Sequence, residues 1–507
     1  MKLKYVISII LICSIYSCSL DYEPLGLYSD VTEGESDAEQ GIFANKQAVE
    51  LHRQNLLNLF REGQEHWYLD MLLLTESHSD NAYAGSPSLE TTPFEVNSIE
   101  ASNPNLFRDW NMHMNNIGAV NRMIYGINDV KDLTDAEKNQ YIGEAKILRA
   151  MVYFDMVRIW GNVPLITYIA PDITGDNVEE VYPLYFPAQT DEVGVYKQIE
   201  KDLKEALASP NVQENRPNDK TQITKSVARA LLVKIYAEKP LQNYDEVIKY
   251  ADELAADFAL VENFSDLFGV TLSDTDSPPS QTNPAIDVKR NTAESIYEAQ
   301  FSSADASWAT WMFGRKLDDY NFWFDWAKWI TPSRDLSKAF LSEAGDKRYA
   351  ESVVFYQCTW SIYYPADNYA FMYKCRSGLN SIIKIRYADI LLLKAEALIA
   401  KGNLPEATTI INDIRKRAGL GMLPQYASAN KDALLEAYLK ERRLELAFEG
   451  ERWFDLVRLD KVETVLNFIK DEGRPPLVYL FDHYSYKLPI PQRAIDQNPN
   501  LVQNPGH

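Results

Sequence analysis

Cysteine, histidine and positive charge are all scarce in this chain of 507 residues, and each shortage closes off a class of function. The four cysteines include no Cys-x-x-Cys pair. The six histidines, at 52, 66, 78, 113, 483 and 507, lack the spacing of metal ligands. Lys and Arg number 51 against 73 Asp and Glu, a net charge of -22 that repels phosphate backbones and argues against nucleic-acid binding. The same balance disfavours, more weakly, a strongly polyanionic ligand. There is no His-Glu-x-x-His helix, no nucleophile elbow and no phosphate-cradling glycine loop. Asp274-Thr275-Asp276 begins like a calcium loop but lacks its glycine and closing glutamate, so it reads as solvated loop. No cofactor and no metal are expected.

Long apolar runs are equally few. Val6-Ile7-Ser8-Ile9-Ile10-Leu11-Ile12 follows Lys2 and Lys4 and is too short to remain as a membrane-spanning helix. It ends at Ile15-Tyr16-Ser17-Cys18, which looks like a bacterial lipobox. The expectation is a signal peptide over 1–17, a lipid on Cys18 and a flexible acidic tether over 18–40. With Cys13 leaving in the signal, only Cys358 and Cys375 remain, as one disulfide or as two thiols.

What is present is helix. Glu137 to Trp160 is amphipathic at first, but Ala150-Met151-Val152-Tyr153-Phe154 leaves little polar face, so this helix must be buried among others. It should stop at Gly161-Asn162-Val163-Pro164. Two later segments resemble each other as helical hairpins. One runs from Ala228, Leu231, Leu232, Lys234 and Ala237 to Tyr244-Asp245-Glu246-Val247-Ile248. The other runs from Ala388, Leu391, Leu392, Lys394 and Ala397 through Gly402-Asn403 to Leu404-Pro405-Glu406-Ala407-Thr408. Their small residues let paired helices approach closely, the pattern of tetratricopeptide repeats. The middle, 262–381, is rich in Ser, Asp, Pro, Trp and Tyr, with strand-like pieces such as Ser295 to Phe301; long loops on a rigid frame are where binding sites collect.

Several stretches are similar to the SusD/RagB family. They are Gly143 to Ala150 running into Val157-Arg158-Ile159-Trp160-Gly161-Asn162-Val163-Pro164-Leu165, then Arg386 to Ala397, and Asn412-Asp413-Ile414-Arg415-Lys416-Arg417-Ala418-Gly419-Leu420. Glu441 to Arg458 and the ending from Leu488-Pro489-Ile490-Pro491 to Gly506 complete the set. The resemblance implies a mostly α, SusD-like fold with tetratricopeptide-type helical hairpins as scaffold, plus long irregular loops and a few short strands. Regions 41–260 and 261–507, the second carrying the loop-rich insertion 262–381, are expected to pack as one globule.

It further implies an outer-membrane, lipid-anchored protein facing the cell exterior. Such a protein binds a glycan without catalysis and hands it to a SusC-like TonB-dependent transporter. A peptide or glycopeptide ligand on the same fold is the alternative, and a lid with no ligand of its own is a third reading. Glu441, Arg442, Arg443 and Glu445 invite an acid–base reading. Their spacing fits local ion pairs better, with Arg442 or Arg452 bridging helices.

Sugar rings stack their C–H faces on Trp and Tyr while Asp and Asn bond the hydroxyls. Two segments are expected to supply such a platform. The first is Ser77 to Gly85 with Trp67 before it, offering Asp80, Asn81 and Tyr83. The second is Trp308 to Trp329, offering Trp308, Trp311, Tyr320 and Trp323 beside Asp305, Asp318, Asp319 and Asn321. Not all of these rings can be exposed at once.

Overall fold

Thr134 opens the helix Asp135–Trp160 with a reciprocal cap: its hydroxyl accepts from the Glu137 N–H, and the Glu137 carboxylate accepts from the Thr134 N–H. Every side chain from Ile147 to Trp160 is buried, because Pro104–Gly126 lies on one flank and Glu192–Ala208 on another. The buried Arg149 is satisfied by Asp202 at 2.7 Å and Asn121 at 2.8 Å. The helix ends at Gly161, whose φ of 73° suits a residue without Cβ. The computed structural model describes residues 41–86, 88–272, 285–302, 306–307, 329–425 and 430–507, and 41–507 cluster as one compact unit.

The two hairpins are Lys225–Ala237 with Tyr244–Leu254, and Tyr387–Lys401 with Leu404–Arg417. Although distant in sequence, they stack directly, Tyr244–Leu254 lying on Tyr387–Lys401. Ala228, Ala237, Ala388 and Ala397 are all buried at the contacts, so the small residues do permit close approach. Lys234 crosses between the hairpins to Asp389 at 2.6 Å. Ser295–Ala299 pairs antiparallel with Ile382–Arg386, tying the middle of the chain to the start of the second hairpin.

The charges at 441–445 hold the scaffold, but not as local pairs. Glu441 takes Arg348 at 2.6 Å and Arg415 at 3.0 Å. Arg442 reaches Asp389 and Asp455, both at 2.7 Å, and Arg443 reaches Asp335 at 2.8 Å. Glu445 accepts from Arg386 at 2.6 Å and also from Arg417. All these partners lie on other elements, because the side chains point inward from a packed helix rather than along its surface. Cys358 and Cys375 carry separate thiols, and burial pushes that of Cys375 up to about 12.

The core also holds a carboxyl pair, Asp70 and Asp109. Arg108 donates to Asp70 at 2.8 Å, and His66 Nδ1 lies 3.0 Å from Asp109. Burial pushes both carboxyls up, Asp109 to about 7. A carboxyl raised above its unfolded value of about 4 stabilises the fold at low pH, and that contribution is lost as pH rises through about 7. Asp109→Asn should therefore gain on the parent protein as pH rises from about 5 to about 8. Urea midpoints across that range test this, and parallel profiles would count against it.

Candidate glycan-binding face

Glu65–Asp70 and Leu73–Ser77 are wound with widened, π-type turns, and they deliver Ser77 to Gly85 into the interior rather than to solvent. Trp67, Asp80, Asn81 and Tyr83 are each 2% exposed or less, so none forms part of an open platform. The polar atoms of this run are spent on protein partners, those of Asp80 on residues far away in sequence. Asp80 accepts from Arg452 at 2.7 and 2.8 Å and pairs with Arg443 at 3.1 Å. Burial alone would raise its pKa, but Arg443 and Arg452 outweigh burial and hold the carboxyl well below the usual range. Asn81 donates to Glu76 at 2.7 Å and accepts from Arg443 at 2.8 Å. Trp67 packs on Phe60 with ring centroids 4.4 Å apart.

Tyr83 is the joint of the assembly. Its ring stacks on Tyr363 at 4.4 Å and 12°. Its hydroxyl donates to Asp471 at 2.7 Å and accepts from the Arg334 N–H at 3.0 Å. The strand Ala82–Tyr83 pairs antiparallel with Thr331–Pro332, Ala82 opposite Pro332 and Tyr83 opposite Thr331. That pairing fixes the chain at Thr331 and Pro332, just after Trp329. Trp308, Trp311, Tyr320 and Trp323 themselves lie outside the described residues.

Past Gly85 the chain surfaces, and Ser88, Leu89 and Glu90 are exposed. The hairpin Val353–Tyr356 with Tyr369–Met372 packs its connecting loop on Tyr83 and Glu95. Tyr364 donates to the Pro332 carbonyl at 3.0 Å, and Tyr369 lies 3.2 Å from the Thr331 hydroxyl, so the hairpin is docked on the same joint. Its loop presents Trp360 and Tyr363, both partly exposed, with Ile362, Asp367 and Asn368 exposed around them. Tyr363 donates to the buried Glu95 at 2.8 Å, and Trp360 meets Tyr369 edge-on at 5.7 Å. Fixed aromatic rings bordered by amide, hydroxyl and carboxylate groups can stack a pyranose and bond its hydroxyls. Sequence reasoning passed over Trp360 and Tyr363. The signal available was the alternation of aromatic and small polar residues in Thr359-Trp360-Ser361-Ile362-Tyr363-Tyr364.

A family model described as the SusD family matches residues 372–507, and one described as starch-binding associating with outer membrane matches residues 33–237. The chain belongs to the SusD/RagB family.

A SusD-like protein of Formosa agariphila is 26% identical over 517 residues, spanning 96% of this chain and 94% of its own. Another from Bacteroides ovatus is 23% identical and spans 90% and 82%. Among solved structures, a SusD-like protein from Bacteroides fragilis superposes with a TM-score of 0.70 at 21% identity, covering 91% of this chain and 97% of that one. A laminarin-binding SusD-like protein gives 0.69 at 22% identity, covering 91% and 100%. These likenesses establish the SusD fold for this chain. The two family matches leave 238–371 uncovered, and the aromatic run 308–329 and the loop bearing Trp360 and Tyr363 fall in that interval.

Proposed function

We propose that this protein captures a neutral polysaccharide or oligosaccharide at the face bordered by Ser88 to Glu90, Trp329 and the Trp360–Tyr363 loop. It passes the glycan, without catalysis, to a SusC-like TonB-dependent transporter. It is held at the outer surface of the outer membrane by a lipid on Cys18 after removal of 1–17. The observation that carries the reading is the joint made by Ala82–Tyr83 pairing with Thr331–Pro332, on which the hairpin bearing Trp360 and Tyr363 is docked. Membership of a starch-binding, outer-membrane family supports a glycan ligand, as does the likeness to a laminarin-binding protein and to surface glycan-binding protein A of Bacteroides fluxus. The charge of -22 favours an uncharged glycan over an anionic one.

The test is native affinity electrophoresis of the soluble chain from Ser19, through gels containing neutral and acidic polysaccharides. Selective retardation by a neutral glycan is expected. Truncating an aromatic anchor costs about 2 kcal/mol, so Trp308→Ala or Trp323→Ala should each weaken retardation about thirtyfold. Trp360→Ala should weaken it in the same direction. No retardation by any glycan, together with retention on immobilised peptides, would replace this reading with a peptide-binding one.

A further inference from the structure

The chain that follows the short helix Val462–Leu466 turns its apolar side chains outward. Phe468, Val478, Tyr479, Leu480 and Tyr484 are between 46% and 74% exposed. Three of these are rings, and at roughly 200 Å² each they alone leave about 350 Å² of apolar surface in water. That already falls within the range of the largest patch on a typical monomer, and such patches mark contact sites.

The patch is held rigidly. Asn467 donates to the Phe481 carbonyl at 2.9 Å and accepts from the Phe481 N–H at 2.8 Å, closing residues 468–480 into a loop with Phe468 and Leu480 at its base. Asp471 accepts from the Gly473 N–H at 2.9 Å and from the Tyr83 hydroxyl at 2.7 Å. Arg474 donates to the Ser79 and Ala82 carbonyls, both at 2.8 Å. A Cβ on Gly473 would fall 2.7 Å from the Tyr83 hydroxyl, so glycine lets the loop lie down on that joint. Val478 donates to the Val96 carbonyl at 2.8 Å, and Asn97 donates to the Tyr479 carbonyl at 3.2 Å. These polar groups bond inward while the apolar side chains face water. A partner would therefore meet a surface already in position, with little ordering left to do.

Two observations choose the occupant. Tyr83 stacks on Tyr363, and Tyr363 donates to Glu95, the neighbour of the Val96 that holds Val478. The loop thus borders the base of the Trp360–Tyr363 loop, and whatever covers it stands beside the proposed glycan face. The second observation is charge. Exposed Glu100, Glu472 and Asp482 outnumber Lys470 at the edge of the patch, on a chain of net charge -22. That sign repels phosphate headgroups and a second copy of this chain alike, and suits a protein surface rimmed by Lys or Arg. A cleft of about 440 Å³, lined in part by Tyr479, Leu480, Tyr484 and residues 97–101, gives such a partner's apolar side chain a seat.

We propose that the 468–480 loop, with Tyr484, is the surface on which this chain docks to its transporter. The inference rests on the delivery step of the proposed function and sets the receiving protein at the edge of the glycan face.

The soluble chain from Ser19 is measured by biolayer interferometry on its SusC-like transporter held in nanodiscs. The parent should bind. Tyr479→Ala should weaken binding about thirtyfold and Leu480→Glu at least as much, with melting temperature and glycan retardation unchanged. Val502→Ala truncates an exposed apolar residue outside the loop and should leave binding unaltered. Binding untouched by the loop changes, or lowered equally by Val502→Ala, would overturn the inference and leave the delivery step standing. Loss of glycan retardation in either loop variant would also overturn it, since the loop would then belong to the glycan face. Binding to empty nanodiscs that the loop changes abolish would replace the transporter with a lipid surface. No binding by the parent would overturn the inference together with the delivery step.

Discussion

Arg386→Met is expected to remove about 3–5 kcal/mol of folding stability, the cost of leaving a buried ionic cluster without one of its members. Arg386 is 1% exposed, and it bonds Glu294 at 2.7 Å, Glu445 at 2.6 Å and Glu449 at 2.6 Å. Arg417, Arg348 and Lys374 remain around those carboxylates, but they already serve them. Burial alone would raise the pKa of Glu445, yet Arg417, Arg386 and Arg348 outweigh it and hold the carboxyl well below the usual range.

A depressed carboxyl stabilises the fold above its unfolded pKa, and the contribution fades as pH falls below about 4. Removing Arg386 takes away part of that contribution, so the gap between variant and parent should narrow on acidification. Urea unfolding at about pH 7.5 and about pH 3 measures both effects. A loss under about 1 kcal/mol at the higher pH would show that the remaining cations re-pair freely, contrary to the geometry.

The second large effect is expected at Tyr83. Tyr83→Ala should cost about 3–5 kcal/mol, since a fully buried ring is removed. The change also strips Tyr363 of its stacking partner and Asp471 of its hydroxyl donor. Tyr83→Phe keeps the ring and should cost about 1–2 kcal/mol. The phenylalanine protein should still be retarded by whichever glycan the parent binds. Thermal melts and affinity gels on both variants decide the matter. Loss of retardation in Tyr83→Phe at near-parental stability would return Tyr83 to direct contact with the ligand.

How far the sequence reaches is visible in these same residues. The helix to Trp160 was legible because a surface apolar on all sides has only one place to go, and the hairpins were legible because alanines recur at matching positions. Glu441 to Glu445 could be recognised as structural, since charges on a core helix need partners. Which partners they take was not readable. Asp80 and Asn81 illustrate the limit: a run of short polar residues looks like a loop when its neighbours hold no cation. Arg443 and Arg452 supply that cation from the other end of the chain. Trp360 and Tyr363 went unmarked because 262–381 is aromatic throughout, and only the docking of their hairpin on Thr331 and Pro332 distinguishes them from the rest.

The contact between Asp80 and Arg452 spans 372 positions, and Val96 and Ile159 are likewise bonded by Val478 and Leu488 near the chain's end. A polypeptide made N-terminus first therefore exposes the run from Ser77 to Gly85 long before anything can close over it. Closing such distant loops is slow, and unsatisfied interior segments attract unwanted neighbours in the interval. The last part of the chain thus acts as a clasp fastened at completion. A product cut short before Arg443 would be left not with a smaller domain but with an open one, the Asp80 carboxylate still in water.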